Sequence, residues 1–465
     1  MSLRTKLIIA FAAAVVVRLG FHLATGFVAD DAFITFRYAE NLASGYGFVY
    51  NVGERVLGTS TPLFTWLLAL LSTLRIPTIT GALGISLVCS GLTAAVLYRL
   101  AINLRMGRLA WLPVIAYTFW PRSIPAETSG METALFTLLI TAVFYYSHRR
   151  LPYYAVGLAT LASLTRPEGA LLLVLVLVQS IRQHPYRWKS YIGVSAALIV
   201  PWLAFAHFYF GSILPHSIPA KLALYSQFGT VPWWQNLTYL MAWHNPVGWL
   251  LTPLAVLGGI WLNRTQNFGR LETTWLVGMI IFFTFGQTHL FFWYVAPIYP
   301  IYLLFAAASA GYLLDRLPRL QSNSALLVKL TGLATIIVLM VGIWHQYDHY
   351  NETQRYFNQT LKPAAYYLKQ QVTDDNELVA AEDIGYLGYY SGCRILDRDG
   401  LVSPISVPYN RNAAYIDLII DTRPNWVAVT AGSPISESPE FLEIYALASS
   451  FGREQQPEYL VYHIK

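Results

Sequence analysis

Two adjacent carboxylates, Asp30 and Asp31, open the stretch Asp30-Asp31-Ala32-Phe33-Ile34-Thr35-Phe36-Arg37-Tyr38-Ala39-Glu40-Asn41, directly after the first apolar run. Such a pair can cap a helix and complement the positive end of its dipole. Beside a membrane-buried segment, a carboxylate can also have its pKa raised by desolvation and take a proton from a hydroxyl as general base. The local sequence weights cap and base evenly. Two carboxylates are also oxygen ligands of the kind Mg or Mn accepts, yet two alone do not decide whether a divalent cation is bound.

Further charged residues stand at the ends of apolar runs. Thr165-Arg166-Pro167-Glu168-Gly169 joins two short ones. Charges at membrane depth are costly unless paired or functional, so Arg166 and Glu168 are either a structural ion pair or a contact for an anion, the latter preferred. Ser129-Gly130-Met131-Glu132-Thr133 matches a capping box, which favours a helix start; Glu127 and Glu132 facing a cavity is the alternative. In Leu214-Pro215-His216-Ser217-Ile218-Pro219-Ala220-Lys221, Lys221 either snorkels or meets a phosphate as a point charge. His216 alone is weak evidence for a metal, and His289, near Trp293 and Tyr294, suits an interfacial aromatic belt. No phosphate-binding loop, dinucleotide fingerprint or His-Glu-x-x-His motif is present, so no site for a cytosolic nucleotide donor is evident. The cations point instead to a lipid-borne anion.

The elements that must position these residues follow from composition. Of the 465 residues 55% are hydrophobic and only 12% charged, where an ordinary soluble domain is about a quarter charged. Mean hydropathy is +0.44. The chain reads as a mainly α-helical polytopic membrane protein. About eleven stretches suit spanning helices: 7–27, 81–101, 109–122, 131–147, 153–164, 168–181, 190–209, 246–262, 273–286, 293–314 and 326–345. The first follows Arg4 and Lys6, lacks a small-x-small cleavage site, and reads as an uncleaved signal anchor. The pair 153–164 and 168–181 is expected to be a hairpin stopping partway across, with its polar turn in a cavity.

Residues 1–345 carry 22 Lys+Arg against 9 Asp+Glu, and residues 346–465 carry 9 against 16. A basic membrane part therefore precedes an acidic tail, and the basic excess reports orientation, not nucleic-acid binding. With the N-terminus inside, Arg99, Arg105, Arg108, Arg149, Arg150, Arg182, Arg187 and Lys189 fall in inner loops, while outer loops hold only Arg37, Arg55, Arg75, Arg122 and Lys221. This bias requires that 62–74 does not span. It places Asp30, Asp31, Glu40, Glu54, Glu127, Glu132 and Glu168, and the tail, outside. The expected division is a membrane domain at 1–345, with juxtamembrane helices in an outer loop at about 28–80, and an extracytoplasmic α/β domain at 346–465. Helix 31–43 is expected to lie on the membrane with Ile34, Tyr38 and Leu42 on one stripe and Arg37 largely off it. In the tail, 352–371 reads as helix, Glu377–Ala381, Arg394–Asp397 and Trp426–Thr430 as strands, and 383–392 as a turn or short helix. Cys89 and Cys393 fall in different compartments, so no disulfide is expected.

The chain resembles the multi-spanning glycosyltransferases of the C-type fold that use polyprenyl-phosphate sugars. Within them it looks most like bacterial arabinofuranosyltransferases of the mycobacterial cell-wall arabinan and type IV pilin kinds. The residues that carry the resemblance are Asp30-Asp31-Ala32-Phe33-Ile34 with Arg37-Tyr38, Gly45-Tyr46-Gly47, Asn51-Val52-Gly53-Glu54-Arg55-Val56, Thr61-Pro62-Leu63, Gly130-Met131-Glu132-Thr133, Thr165-Arg166-Pro167-Glu168-Gly169, Leu214-Pro215 with Lys221, and Asp383-Ile384-Gly385 with Gly400-Leu401-Val402. The match runs in order from about residue 10 to 400; Pro215-His216-Ser217 departs from it, where an Asn-Thr-like pair would follow the proline. The resemblance implies an inverting transferase of the cytoplasmic (inner) membrane, acting outside on a polyprenyl-phosphate sugar donor and a glycan, lipid or glycoprotein acceptor. It implies Asp30 as base, Asp31 as positioner of the acceptor or ligand of a divalent ion, and Arg166 and Lys221 on the leaving phosphate. Glu168, His216, Glu132, Glu54 and Tyr38 complete the expected substrate and donor-phosphate site. Sister enzymes moving mannose or another hexose share similar motifs. A lipid-linked glycan flippase would need inverted halves, which the sequence does not show, and a non-catalytic scaffold would be expected to have lost the acidic motif.

Overall fold

The computed structural model describes residues 1–225, 232–240, 246–266, 268–286, 290–316, 324–453 and 456–465. His289 lies outside them. Each expected apolar stretch is helical, beginning with Leu3–Thr25 and Thr78–Asn103 and ending with Tyr299–Arg316 and Ser324–Gln359. Among the described residues, four helical stretches are long and apolar enough to cross a bilayer: Leu3–Thr25, Thr78–Asn103, Pro185–Phe210 and Phe292–Leu313. The chain is thus a multi-pass membrane protein, and the other expected spans are shorter or less apolar helices. Pro62–Thr73 has 12 residues. At about 1.5 Å per residue it falls well short of a ~30 Å hydrocarbon core, as the charge bias requires. The hairpin helices Pro152–Thr165 and Gly169–Gln183, of 14 and 15 residues, are short in the same way.

Two compact units are present. One comprises Met1–Gly26, Ala82–Trp202 and Val231–Tyr350; the other comprises Phe27–Gly81, Leu203–Thr230 and Asn351–Lys465. The units do not follow the linear division at 345/346, which falls inside the continuous helix Ser324–Gln359. The segment Phe27–Gly81 belongs to the same unit as the tail.

The first unit is an apolar helical core built around residues such as Tyr98, Phe144, Trp275 and Tyr299. Helix Pro246–Gln266 packs tightly on Tyr299–Arg316. A Cβ at Gly258 would lie 1.8 Å from the Phe305 carbonyl oxygen, so only glycine permits this approach. Inside Leu3–Thr25, Arg18 is fully buried and pairs with Glu127, Nε to Oε2 at 2.6 Å. Glu127 also accepts from Ser90 (2.6 Å) and Tyr117 (2.9 Å).

The second unit contains a five-stranded sheet in the order β2-β1-β3-β5-β4, where β1 is Leu378–Ala381, β2 Arg394–Asp397, β3 Trp426–Thr430, β4 Tyr445–Arg453 and β5 Gln456–Ile464. β1 runs parallel to β2 and β3, with Val379 opposite both Ile395 and Trp426; β5 is antiparallel to β3 and β4. The first three strands lie where the sequence places them, and the β4–β5 hairpin is an addition to that reading. The expected helix 352–371 is two, the end of Ser324–Gln359 and Leu361–Gln371.

The helix Asp30–Ala43 differs from expectation. Ala32 to Ala39 are all buried, so it has no solvent-facing polar side over that length. Arg37, expected off the apolar stripe, is 8% exposed. Its guanidinium donates to the carbonyls of Tyr50 (2.8 Å), Gly388 (2.7 Å) and Cys393 (2.7 Å). A buried cation needs such partners, and here the carbonyl dipoles provide them.

Candidate active site

Asp30 is the first helical residue of Asp30–Ala43, whose N-cap is Ala29 with no side-chain hydrogen bond. Asp30 therefore does not cap its own helix. Its carboxylate caps another one. Oδ2 accepts from the Gly385 amide at 3.0 Å and Oδ1 from the Tyr386 amide at 2.7 Å. Both amides belong to the first turn of Ile384–Ser391, where backbone N–H groups lack intrahelical acceptors. The approach depends on glycine: a Cβ at Gly385 would lie 1.9 Å from the Asp30 carbonyl oxygen.

The surrounding packing fixes this geometry. The Phe33 ring lies 4.2 Å from that of Tyr386 and 5.1 Å from that of Tyr389. Gln354 accepts from the Val28 amide (3.1 Å) and donates to the Tyr386 hydroxyl (3.0 Å). Tyr50 donates to the Ile384 carbonyl (2.6 Å), and Asn51 pairs with the Ile395 backbone through both amide atoms. Glu40 accepts from the hydroxyls of Tyr389 and Thr78.

Burial pushes the Asp30 carboxyl above its usual range. The Tyr386 and Gly385 amides pull it back, while the charges of Asp31 and Asp397 add to the rise. Asp383, the N-cap of Ile384–Ser391, is raised by burial and by the Asp30 charge. Asp397, fully buried at the end of β2, accepts from the amides of Asp399 (2.9 Å) and Val402 (3.0 Å). Burial, followed by the charge of Asp399, pushes it up to about 7. A carboxylate with a raised pKa and fixed orientation is suited to accept a proton near neutral pH.

The other expected site residues divide between the units. Asp31 follows Asp30 on the helix and is half-buried. Tyr38 is fully buried, donating to the Val56 carbonyl (2.7 Å) and accepting from the Gly58 amide (2.9 Å). Glu54 pairs with Arg394 at 2.7 Å. The His216 amide donates to the Leu57 carbonyl (2.7 Å), and its buried Nε2 has no hydrogen-bond partner among the described residues. Lys221 is half-buried on Ser217–Tyr225, a helix whose Ala220 and Ala223 pack against Val407.

In the first unit Glu132, Arg166 and Glu168 come together. Arg166 lies 3.5 Å from Glu132 and 3.2 Å from Glu168, and donates to the Trp293 carbonyl at 2.9 Å. Its guanidinium stands over the Tyr294 ring at 4.8 Å. The capping box expected at Ser129–Glu132 does not form: the helix is Thr133–His148 and its N-cap is Glu132. No group of three or more His, Cys, Asp or Glu among the described residues could hold a metal ion, and each oxygen of Asp30 accepts one backbone amide. With fewer than three such groups converging among the described residues, the donor set does not fit a protein-held divalent cation.

Asp383, Asp397 and Arg18 lie outside the sequence-derived site. Asp383 and Asp397 each precede a glycine by two or three residues, and Arg18 interrupts an apolar run.

The fold is that of the C-type glycosyltransferases. The chain superposes over 98% of its length on 98% of the crystal structure of ArnT from Cupriavidus metallidurans bound to undecaprenyl phosphate, with a TM-score of 0.64 at 11% identity. It superposes on the same protein in the apo state with a TM-score of 0.58 at 12% identity, covering 99% of this chain and 98% of that one. In sequence, 264 residues are 28% identical to the terminal β-(1→2)-arabinofuranosyltransferase of Mycobacterium tuberculosis (strain ATCC 25618 / H37Rv), over 52% of this chain. The match spans 41% of that relative's length. Residues 345–462 match a family model described as a domain of unknown function, DUF8728.

Proposed function

We propose that the chain is an integral-membrane glycosyltransferase that moves a sugar, arabinofuranose in the first instance, from a polyprenyl-phosphate donor to a hydroxyl of a glycan or glycoprotein. The observation that carries the reading is the Asp30 carboxylate, raised in pKa and oriented by two backbone amides at the head of the outer-loop helix. The ArnT likeness, with undecaprenyl phosphate bound to that protein, supports the donor class, and the mycobacterial relative supports the sugar. The charge bias of the loops supports an outward-facing site on the cytoplasmic membrane, with the tail outside.

The reaction is a single displacement with inversion. The acceptor oxygen forms a bond to the anomeric carbon as the bond from that carbon to the phosphate oxygen breaks. The electron pair leaves with the lipid phosphate, and the acceptor proton passes to Asp30. Asp31, half-buried and next to it, orients the acceptor. Lys221 is assigned to the developing phosphate charge. Arg166, whose charge is shared by Glu132 and Glu168, is assigned to the donor phosphate by the family resemblance alone. Purified full-length protein, given polyprenyl-phosphate arabinose or polyprenyl-phosphate mannose with a hydroxyl acceptor, tests the reading. Asp30→Asn is expected to abolish transfer while the protein stays folded. Full transfer by Asp30→Asn refutes the assigned base, and preference for mannose refutes the sugar.

A further inference from the structure

Asp30 and the segment Asp383–Tyr386 lie 355 and 356 residues apart along the chain at their points of contact, yet both carboxylate oxygens end on that segment's amides. A carboxylate capping its own helix would be satisfied by its own first turn, whereas this one reaches the first turn of Ile384–Ser391. Here the tail backbone comes so close that any side chain at Gly385 would strike the Asp30 backbone, an atom that cannot swing away. The helix bearing these amides is itself anchored: Tyr50 donates to the Ile384 carbonyl, and Arg37 to the Gly388 carbonyl. With both oxygens held, the carboxylate plane is fixed, and one lone pair on each oxygen remains for an incoming hydroxyl. We propose that the tail turn Gly385-Tyr386 is the positioning element of the general base, so that the tail completes the catalytic site instead of serving only as an accessory domain. This rests on the assignment of Asp30 as that base.

Another glycine of the same unit supplies a control. Gly47 has a φ of +95°, and a Cβ there would meet the Tyr209 hydroxyl at 2.3 Å. Gly47→Ala therefore strains the same unit without touching Asp30, the amides that hold it, or the Tyr50 and Arg37 contacts that anchor those amides. A misplacement of about 1 Å at a reacting group can cost on the order of 100-fold in rate. In full-length protein with polyprenyl-phosphate arabinose, Gly385→Ala is expected to lower kcat by about 10- to 100-fold with donor KM unchanged. Gly47→Ala is expected to change kcat by less than about 3-fold, since it leaves the amides in place.

Equal kcat losses in the two variants would mean a merely structural role and overturn the proposal, as would full kcat in Gly385→Ala. Should Gly385→Ala fail to fold, Asp30→Glu decides. It keeps a carboxylate but moves it one methylene off the two amides, and a loss of kcat of at least about 10-fold is expected on the same grounds. Wild-type kcat in Asp30→Glu overturns the positioning claim. Activity in Asp30→Asn instead overturns the base itself, so the two failures are distinguishable.

Discussion

Replacing Glu127 by glutamine should severely destabilise the first unit. The Arg18–Glu127 pair is entirely inaccessible, with side-chain exposure of 0% for both partners and an N–O distance of 2.6 Å. The amide that Glu127→Gln introduces would still accept from Ser90 and Tyr117, so the change isolates the loss of charge. The guanidinium would keep a neutral amide oxygen in place of the carboxylate, with long contacts to the Thr118 carbonyl (3.3 Å) and the Tyr117 carbonyl (3.5 Å), and the Tyr117 ring at 4.5 Å. Breaking a buried pair from one side typically costs about 3–5 kcal/mol, because the remaining charge is uncompensated. Removing both charges costs far less. Arg18→Met with Glu127→Gln should return to within about 1–2 kcal/mol of wild type, since the remaining amide still satisfies the hydroxyls. The measurement is equilibrium unfolding in mixed micelles of wild type, both single variants and the double variant. A Glu127→Gln cost below about 1 kcal/mol, or a double variant no better than that single one, would refute the reasoning, which needs a coupling of at least about 2 kcal/mol.

Three further outcomes follow from other sites. Asp397, raised from 3.8 to about 7, binds its proton more tightly in the folded tail than in the unfolded chain. Its contribution to stability is therefore fully present below about pH 3.8 and lost as pH rises through about 7, so the thermal midpoint of the tail's transition should be lower at pH 8.5 than at pH 6; an increase over that interval contradicts this. Transfer by wild type should rise with pH along a limb whose midpoint lies above the usual carboxylate range, because Asp30 must be ionised to accept a proton; a rate already flat from pH 5 upward excludes Asp30 as that group. Glu54→Ala should cost only about 0–1 kcal/mol, since its partner Arg394 is 45% exposed and such pairs are solvent-screened; thermal denaturation checks this, and a loss above about 2 kcal/mol would show a further role for Glu54.

The helices of the membrane part are legible because long apolar runs admit little else. The central strands are equally legible, since Leu378–Ala381 and Trp426–Thr430 are short apolar runs bounded by polar residues. β4 is not. Its Ala446, Ala448, Ser449, Ser450 and Gly452 are poor strand formers, and the strand holds its place through pairing with β5, with register shifts at Leu447/Ser449 and Phe451/Gly452. Helical periodicity fails for Arg37 because the tail covers the side on which it projects, and no local pattern encodes a partner 351 residues away. The same limit applies to Asp30. Its type and place mark it as chemically interesting, but the choice between cap and base presumed that the helix to be capped was its own. Arg18 escapes notice because one charge scarcely alters the mean hydropathy of a 23-residue helix.

The grip of Gly385 and Tyr386 on Asp30 also bears on biosynthesis. Asp30 leaves the ribosome some 355 residues ahead of its amide partner Gly385. Through most of translation the nascent chain can insert its helices while its principal carboxylate is unrestrained. A chain terminated anywhere before Asp383 would carry the apolar helices and the acidic pair and still lack the order that makes the pair useful. On the proposed assignment of Asp30 as base, catalytic competence would arrive only once Gly385 and Tyr386 have been made.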